Sequence, residues 1–260
     1  MFQPVFRTPD DFRKSSTDLI HRHKRPNLLW KVSMDVPSSM KTYRKTLSHI
    51  LKNVLDCRIL YEDDFYKNRK DIPIDEATGE ENWDSQESLD IPRFVMALEH
   101  IRRTGSIPEN HKSIEEHQEY EMCNVSDELI EALRQKLPSY HSFKIVLIDG
   151  FLLYPVSEIH AQLDIKLLLN SSYETVKRRR MMRSGYLTQT SYWVDPPNYF
   201  DRVCWPWHVK NHTSLFKEGN MEGDVLPNFG ILVQPSEMSS MEDILTWAVD
   251  VISKRLTPEF

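Results

Sequence analysis

The stretch FKIVLIDGFLLY, Phe143–Tyr154, limits the fold more than any other part of the chain. Ile145, Val146, Leu147 and Ile148 follow one another without a polar break. A strand wetted on one face alternates polar and apolar residues, so an unbroken apolar run needs cover on both sides. That is the environment of a strand in a parallel sheet lying between two layers of helices. Asp149 and Gly150 end the run and place a carboxylate at the carboxyl end of the strand.

The rest of the chain alternates in the same sense. Asn27–Met34 predicts a first buried strand, and Thr42–Leu55 a helix with Leu47, Ile50, Leu51 and Val54 at helical spacing. Cys57–Tyr66 predicts a second strand running into an acidic turn, and Ser88–Gly105 a helix that stops near Gly105. Residues 106–126 are polar with little period and read as a variable loop. Val125–Leu137 predicts a helix capped by Ser126 or Asp127. Leu163–Asn170 predicts a strand, Ser171–Arg183 a helix and Phe229–Pro235 a late strand. A closing helix carries a capping box, Ser239 with Glu242. Strands alternating with helices predict a three-layer α/β fold with a mainly parallel sheet. Ligands in such sheets bind beyond the carboxyl ends of the strands. Three features fall there: Asp35 to Thr42, Asp63-Asp64 and Asp149-Gly150.

Composition narrows the function classes. The 260 residues suit one large domain. A net charge of -6 gives no basic face of the kind a nucleic-acid binder needs. Three cysteines, Cys57, Cys123 and Cys204, lie far apart, which argues against a Cys metal site or a disulfide framework and fits a reducing compartment. No apolar run approaches a membrane span. Residues 1–26 read as a variable leader without a secretory apolar core. The expected location is the cytoplasm, with the nucleus left open; oligomeric state is not legible.

Lys41-Thr42 follows the first strand and opens a helix, where free N–H groups and the positive dipole end favour phosphate. Lys41 would reach the β- and γ-phosphates and Thr42 would hold Mg²⁺; the same dipeptide also begins ordinary helices. Asp63 and Asp64 stand at a strand end between apolar and aromatic residues. A phosphotransferase needs a carboxylate there, beside its acceptor hydroxyl, although paired carboxylates also suit a solvated turn. Asp149 either caps the next turn or orders a metal through water. In the basic block, Arg179 and Arg183 are four apart and Arg180 and Arg183 three apart, so they share a helix side that embraces phosphates or faces water. Trp193–His208 is rich in Pro and aromatics and predicts a structured loop, its rings stacking on a flat ligand or simply packing.

Five motifs in this order, EDDFYK, NWDSQESLD, VLIDGFLLY, YETVKRRRMMRSGY and WVDPPNYFD, resemble the nicotinamide riboside kinases, fungal members above all. That family lies within the uridine-kinase-like P-loop nucleoside kinases. The resemblance runs from about Leu28 to the C-terminal helix. It implies a P-loop nucleoside-kinase-like domain over 27–260 with a helical lid at about 177–200. The implied cofactors are ATP and Mg²⁺, and the implied reaction is phosphorylation of the ribose 5′-hydroxyl of nicotinamide riboside to nicotinamide mononucleotide. Its partners would be the nucleoside and ATP, with no nucleic acid and no membrane. By the same resemblance Asp63 is the catalytic proton acceptor, and Asp64, Phe65 and Tyr66 form the adjoining substrate turn. Trp83 lies on the nicotinamide side, Asp84 and Arg180 hold the ribose, and Tyr186 lies against the nicotinamide ring. Ser38, Ser39, Lys41, Thr42, Arg179 and Arg183 meet ATP, while Thr42, Asp63 and Asp149 surround the metal.

The opening loop departs from the family pattern Gly-x-x-x-x-Gly-Lys-Thr-Thr. Its two glycine positions hold Asp35 and Met40, and no glycine precedes Gly79. Glycine there permits positive φ and lets backbone N–H groups touch phosphate. If Asp35 faced a phosphate at about 5 Å, the repulsion would be about 3 kcal/mol at an effective dielectric near 20. The segment therefore reads as the remains of a P-loop. Two explanations stand together: drift toward binding with impaired ATP use, or a sequence before about Tyr43 wrongly assembled from the gene in place of a normal loop. The alternative functions are a catalytically silent nucleoside-binding or regulatory homologue, and a kinase for another nucleoside such as uridine.

Overall fold

The computed structural model describes residues 28–35, 37, 40–115, 125–138, 143–182, 185–187, 192–236, 238 and 240–257. The leader, Ser38, Ser39 and Arg183 lie outside the described residues, as do the side chains of Thr42 and Tyr186. Five strands form one parallel sheet: β1 (Leu28–Asp35), β2 (Arg58–Tyr61), β3 (Phe143–Gly150), β4 (Ile165–Leu168) and, last in the chain order of the sheet, Ile231–Val233. Between β4 and that last strand, a short antiparallel pair forms from β5 (Tyr186–Leu187) and β6 (Tyr192–Trp193), so Ile231–Val233 is β7. The order across the sheet is β2-β3-β1-β4-β7. The three-layer α/β expectation holds.

The period-two alternation of β3 sorts the two cores. Ile145 and Leu147 pack with α1 (Lys41–Leu55), α3 (Asp127–Gln135) and α7 (Met241–Leu256). Val146 and Ile148 point to the other face, against α2 (Ile91–Thr104) and α4 (Ser157–His160). Leaving β1 the chain turns to the first face, and leaving β3 it turns to the second. The crevice between their carboxyl ends is therefore the switch point at which such sheets bind ligands.

Local chemistry sets the helix ends. The Asp90 side chain accepts from the Arg93 N–H to cap α2, and Gly105 closes it at φ 74. Ser126 caps α3. The cap of α7 is Ser240, which accepts from the Asp243 N–H, one residue later than the Ser239–Glu242 box the sequence suggested. Buried Met241, Ile244, Leu245, Ala248 and Val249 fix the helix phase and so decide the start. The expected loop over Trp193–His208 also needs correction. Its second half is helical, with a π-helical turn Phe200–Cys204 leading into α6 (Trp205–His212). Pro206 stands in the first turn of α6, at the junction with the π-helical turn.

Beyond Leu29, which packs on the second core, β1 is apolar on one side only. Val32 and Met34 enter the first core, while Lys31, Ser33 and Asp35 form a buried polar seam on the opposite side. Lys31 pairs with Asp164 at 3.2 Å. Ser33 meets the Tyr154 hydroxyl at 3.2 Å, and that hydroxyl donates to the carbonyls of Ser33 and Leu167. Asp35 accepts the Tyr154 N–H at 3.0 Å and lies 3.4 Å from His212 Nε2. No helix among the described residues is long and apolar enough to cross a membrane.

Candidate active site

Helix α1 presents Lys41, Arg44, Lys45 and Ser48 on one side, at the i, i+3, i+4, i+7 spacing of a helix face. That side meets carboxylates delivered by three other segments. Asp63 comes from the 3₁₀ turn after β2, Asp149 from the end of β3, and Glu115 from the stretch after α2. Asp63 Oδ2 lies 2.9 Å from Arg44, 2.9 Å from Lys45 and 3.3 Å from Lys41. Asp149 Oδ1 lies 2.8 Å from Arg44 Nε and 3.7 Å from Lys45, and its other oxygen accepts from the Ser48 hydroxyl. Glu115 lies 2.8 Å from Lys41 and 3.4 Å from Lys45. Arg44, Lys45, Glu115 and Asp149 are each 0% exposed.

Burial alone would neutralise such groups; the pairing decides otherwise. For Arg44, burial is outweighed by Asp149, Asp63 and Glu62, so the guanidinium is held above its usual range. Burial of Lys45 is outweighed by Asp63 and Asp149, which raise it. Burial of Asp63 is outweighed by Lys41, Lys45 and Arg44, and the carboxyl is held well below the ordinary range. Lys45 and Lys41 do the same for Glu115. Glu62 goes the other way: burial pushes it up to about 8 despite hydrogen bonds from the Phe151 and Leu152 N–H groups. It braces the turn after Asp149, where a Cβ on Gly150 would lie 2.7 Å from Glu62 Oε2.

Asp35 and Met40, at the two glycine positions of the loop, are among the described residues. The Asp35 carboxylate is turned into the polar seam toward Tyr154 and His212. Met40 is the N-cap of α1 at φ -97 and is 2% exposed, so this position is not in the left-handed region. Arg179, on α5 (Tyr173–Met181), lies over the Tyr43 ring at 4.0 Å and reaches the Met40 sulfur at 3.9 Å. Beyond the carboxyl ends of β4 and β7 a cleft of about 600 Å³ is lined by Asn170, Thr175, Arg179, Val233, Gln234 and Pro235, among others.

A second cluster gathers the other sequence-singled residues. Arg180 makes a two-pronged pair with Asp195, at 2.5 and 2.8 Å, and Trp193 Nε1 donates to the same carboxylate. The fields of Cys204, Asp84 and Asp195 outweigh burial and hold Arg180 charged. Asp84 is buried beside it and takes a hydrogen bond from the Cys204 thiol. Trp83 is 2% exposed, with Tyr66 edge-on at 5.4 Å and Trp193 at 5.5 Å. The Tyr66 hydroxyl donates to the Trp83 carbonyl. A cavity of about 330 Å³ opens beside Arg180 and Asp195, bounded by Lys177, Tyr199 and Phe200.

Two of the expected substrate contacts do other work. Phe65 is a core side chain, packed on Phe94 at 4.6 Å and His111 at 5.4 Å. Asp64 ties down the following segment, accepting from the Ile114 N–H at 3.0 Å and meeting His111 at 3.1 Å. In the 3₁₀ turn the consecutive side chains of Asp63, Asp64 and Phe65 leave in different directions. Sequence reasoning passed over Arg44, Lys45, Glu62 and Glu115. The helical spacing of Lys41, Arg44 and Lys45 was the available signal for the first two; Glu115, in an aperiodic stretch, gave none.

Mg²⁺, which the fold family implies beside Thr42, Asp63 and Asp149, does not fit the two carboxylates of that set as they stand. Mg²⁺ demands a near-octahedral oxygen shell at about 2.0–2.1 Å. Asp63 Oδ2 and Asp149 Oδ1 are instead turned to nitrogen cations. Among the described residues no group of three His, Cys, Asp or Glu is arranged to hold a metal ion.

No family model matches the chain. Individual proteins do. The nicotinamide riboside kinase of Schizosaccharomyces pombe is 32% identical over 216 residues, 82% of this chain and 92% of that protein. The nicotinamide riboside kinase of Saccharomyces cerevisiae is 34% identical over 170 residues, 64% of this chain and 70% of that protein. Mouse nicotinamide riboside kinase 2 is 27% identical over 173 residues, 65% of this chain and 73% of that protein.

Proposed function

Since the chain belongs to the nicotinamide riboside kinase family, we propose that it transfers a phosphoryl group from ATP to the ribose 5′-hydroxyl of nicotinamide riboside, giving nicotinamide mononucleotide. The observation that carries this reading is the buried grouping of Asp84, Arg180 and Asp195 with Trp83 and Trp193. It supplies fixed charges for ribose hydroxyls and aromatic walls for a flat ring. Asp63 stands at the carboxyl end of β2, where the 5′-hydroxyl would be presented. Held well below its usual range, it serves as a hydrogen-bond acceptor more than as a proton sink. That suits phosphoryl transfer, in which positioning and electrostatics supply most of the catalysis. The cleft beyond β4 and β7, with Arg179 at its edge, is the space for the nucleotide.

The test is coupled ADP release by the full chain with nicotinamide riboside and, separately, uridine. Turnover with nicotinamide riboside well above that with uridine is expected; equal turnover would reassign the nucleoside. A second reading, a silent nucleoside-binding homologue, is favoured by one observation: both glycine positions of the phosphate loop are filled by buried side chains, Asp35 and Met40. Calorimetric binding of the riboside without any ADP release would select it.

A further inference from the structure

Three basic and three acidic side chains meet in one network at the carboxyl ends of β2 and β3. The cations are Lys41, Arg44 and Lys45; the anions are Asp63, Glu115 and Asp149. All three cations project from one side of a single helix, so they arrive as a set. Arg44 spans the two carboxylates that a metal would bridge, with Nη2 at 2.9 Å from Asp63 and Nε at 2.8 Å from Asp149. Lys45 lies under the same pair, over the Tyr61 ring at 3.9 Å. Glu115 brings the anion count level with the cations, and its segment is anchored by the Ile114 N–H on Asp64.

We propose that Arg44 and Lys45 stand in for the divalent cation: Asp63 and Asp149 are neutralised from within helix α1, and the chain takes up no metal between them. The proposal rests on the kinase reading only for the expectation that a metal belongs there. A bridging dication draws its affinity from uncompensated carboxylate charge and from lone pairs free to coordinate. Here the charge is balanced, and a dication would have to displace a guanidinium and an ammonium with no water to receive them. It would also sit within a few ångströms of three like charges, whose repulsion is weakly screened in a buried site. A metal ion carried in on the phosphates of ATP is a separate matter, because its ligands belong to the nucleotide.

The experiment titrates Mn²⁺, a spectroscopic substitute for Mg²⁺, into the full chain without nucleotide and follows the free-ion signal by electron paramagnetic resonance. Wild-type protein is expected to leave that signal unchanged at stoichiometric ion. Arg44→Gln with Lys45→Gln keeps donors at both positions while removing two positive charges. That variant is expected to remove about one equivalent of free Mn²⁺ and to gain thermal stability as Mn²⁺ is added, by mass action. Asp149→Asn in the double variant should abolish the uptake. Two results would overturn the proposal: uptake of one Mn²⁺ by wild-type protein that Asp149→Asn removes, or a folded double variant that takes up none. If the double variant does not fold, the wild-type and Asp149→Asn titrations decide alone. Coupled ADP release on the same samples separates the two readings. A chain that turns over riboside yet takes up no Mn²⁺ without nucleotide sustains both, whereas one that does neither loses the kinase activity and keeps the internal cations.

Discussion

Replacing Glu62 by Gln should flatten the pH dependence of stability on the alkaline side of neutrality's approach. In the folded chain burial raises this carboxyl to about 8, against an ordinary value of 4.5. Between those values the unfolded chain has released the proton and the folded chain has kept it. The unfolded state therefore binds fewer protons, and stability falls as pH rises, by at most about 1.4 kcal/mol per unit for this one group. From about pH 5.5 to 7.5 the wild-type loss assigned to Glu62 is about 2–3 kcal/mol, an upper figure. Buried His208, and the partly buried His49 and His160, are lowered and push the other way as they shed protons in the unfolded chain. The informative quantity is thus the difference between the two proteins. Glutamine keeps an oxygen for the Phe151 and Leu152 N–H groups while losing the proton. Urea unfolding of both proteins at the two pH values should show the Glu62→Gln variant gaining on wild type as pH rises. Parallel curves would mean that Glu62 is ionised in the fold and the reasoning fails.

Asp35→Gly should cost about 3 kcal/mol by urea unfolding, since it leaves the Tyr154 N–H and His212 without their buried acceptor; a gain in ADP release without loss of stability would put Asp35 back at the phosphate. Arg180→Lys should lower the Tm, by about 1–2 kcal/mol of stability, because lysine cannot reproduce the two-pronged contact with Asp195; an unchanged Tm would count against that pairing. Asp84→Ala should weaken nicotinamide riboside binding in calorimetry by about tenfold or more, and equal affinity would remove Asp84 from the ribose site. Asp63→Asn should lower turnover far more than riboside affinity, and undiminished turnover would pass its role to another group.

The parallel sheet was legible because it depends on runs of apolar residues, and Phe143–Gly150 declares itself without help from the rest of the chain. The start of α3 was legible from Ser126, which stands before its first turn, whereas α2 begins at Ile91, three residues after the expected Ser88, because Asp90 caps it. α6 was hidden because Pro206, between Trp205 and Trp207, mimics a loop, and only tertiary packing tells a proline at a helical junction from a breaker. In the site, motif matching located Asp63, Asp84, Asp149 and Arg180 along the chain but not what each would face. Asp35 shows the gap best. Its sequence position implies a phosphate, yet side chains alternate along a strand, and at Asp35 the alternation points into the seam with Lys31 and Ser33. The ion cluster joins residues from helix, turn, strand and loop, separated by as many as 108 positions between Lys41 and Asp149, a distance over which local patterns carry no information.

The polar seam of β1 also bears on how the chain finds its alignment while folding. A central strand with two greasy faces could slide by two residues against β3 and β4 and still bury oil against oil. With Lys31, Ser33 and Asp35 on one side, each polar group meets its partners at one height: Lys31 meets Asp164, Ser33 meets Tyr154 and the Ile165 carbonyl, and Asp35 meets Tyr154 and His212. A two-residue slip would strand a lysine and an aspartate in a dry interior, a penalty of several kcal/mol for each orphaned charge. The seam acts as a key cut for a single register.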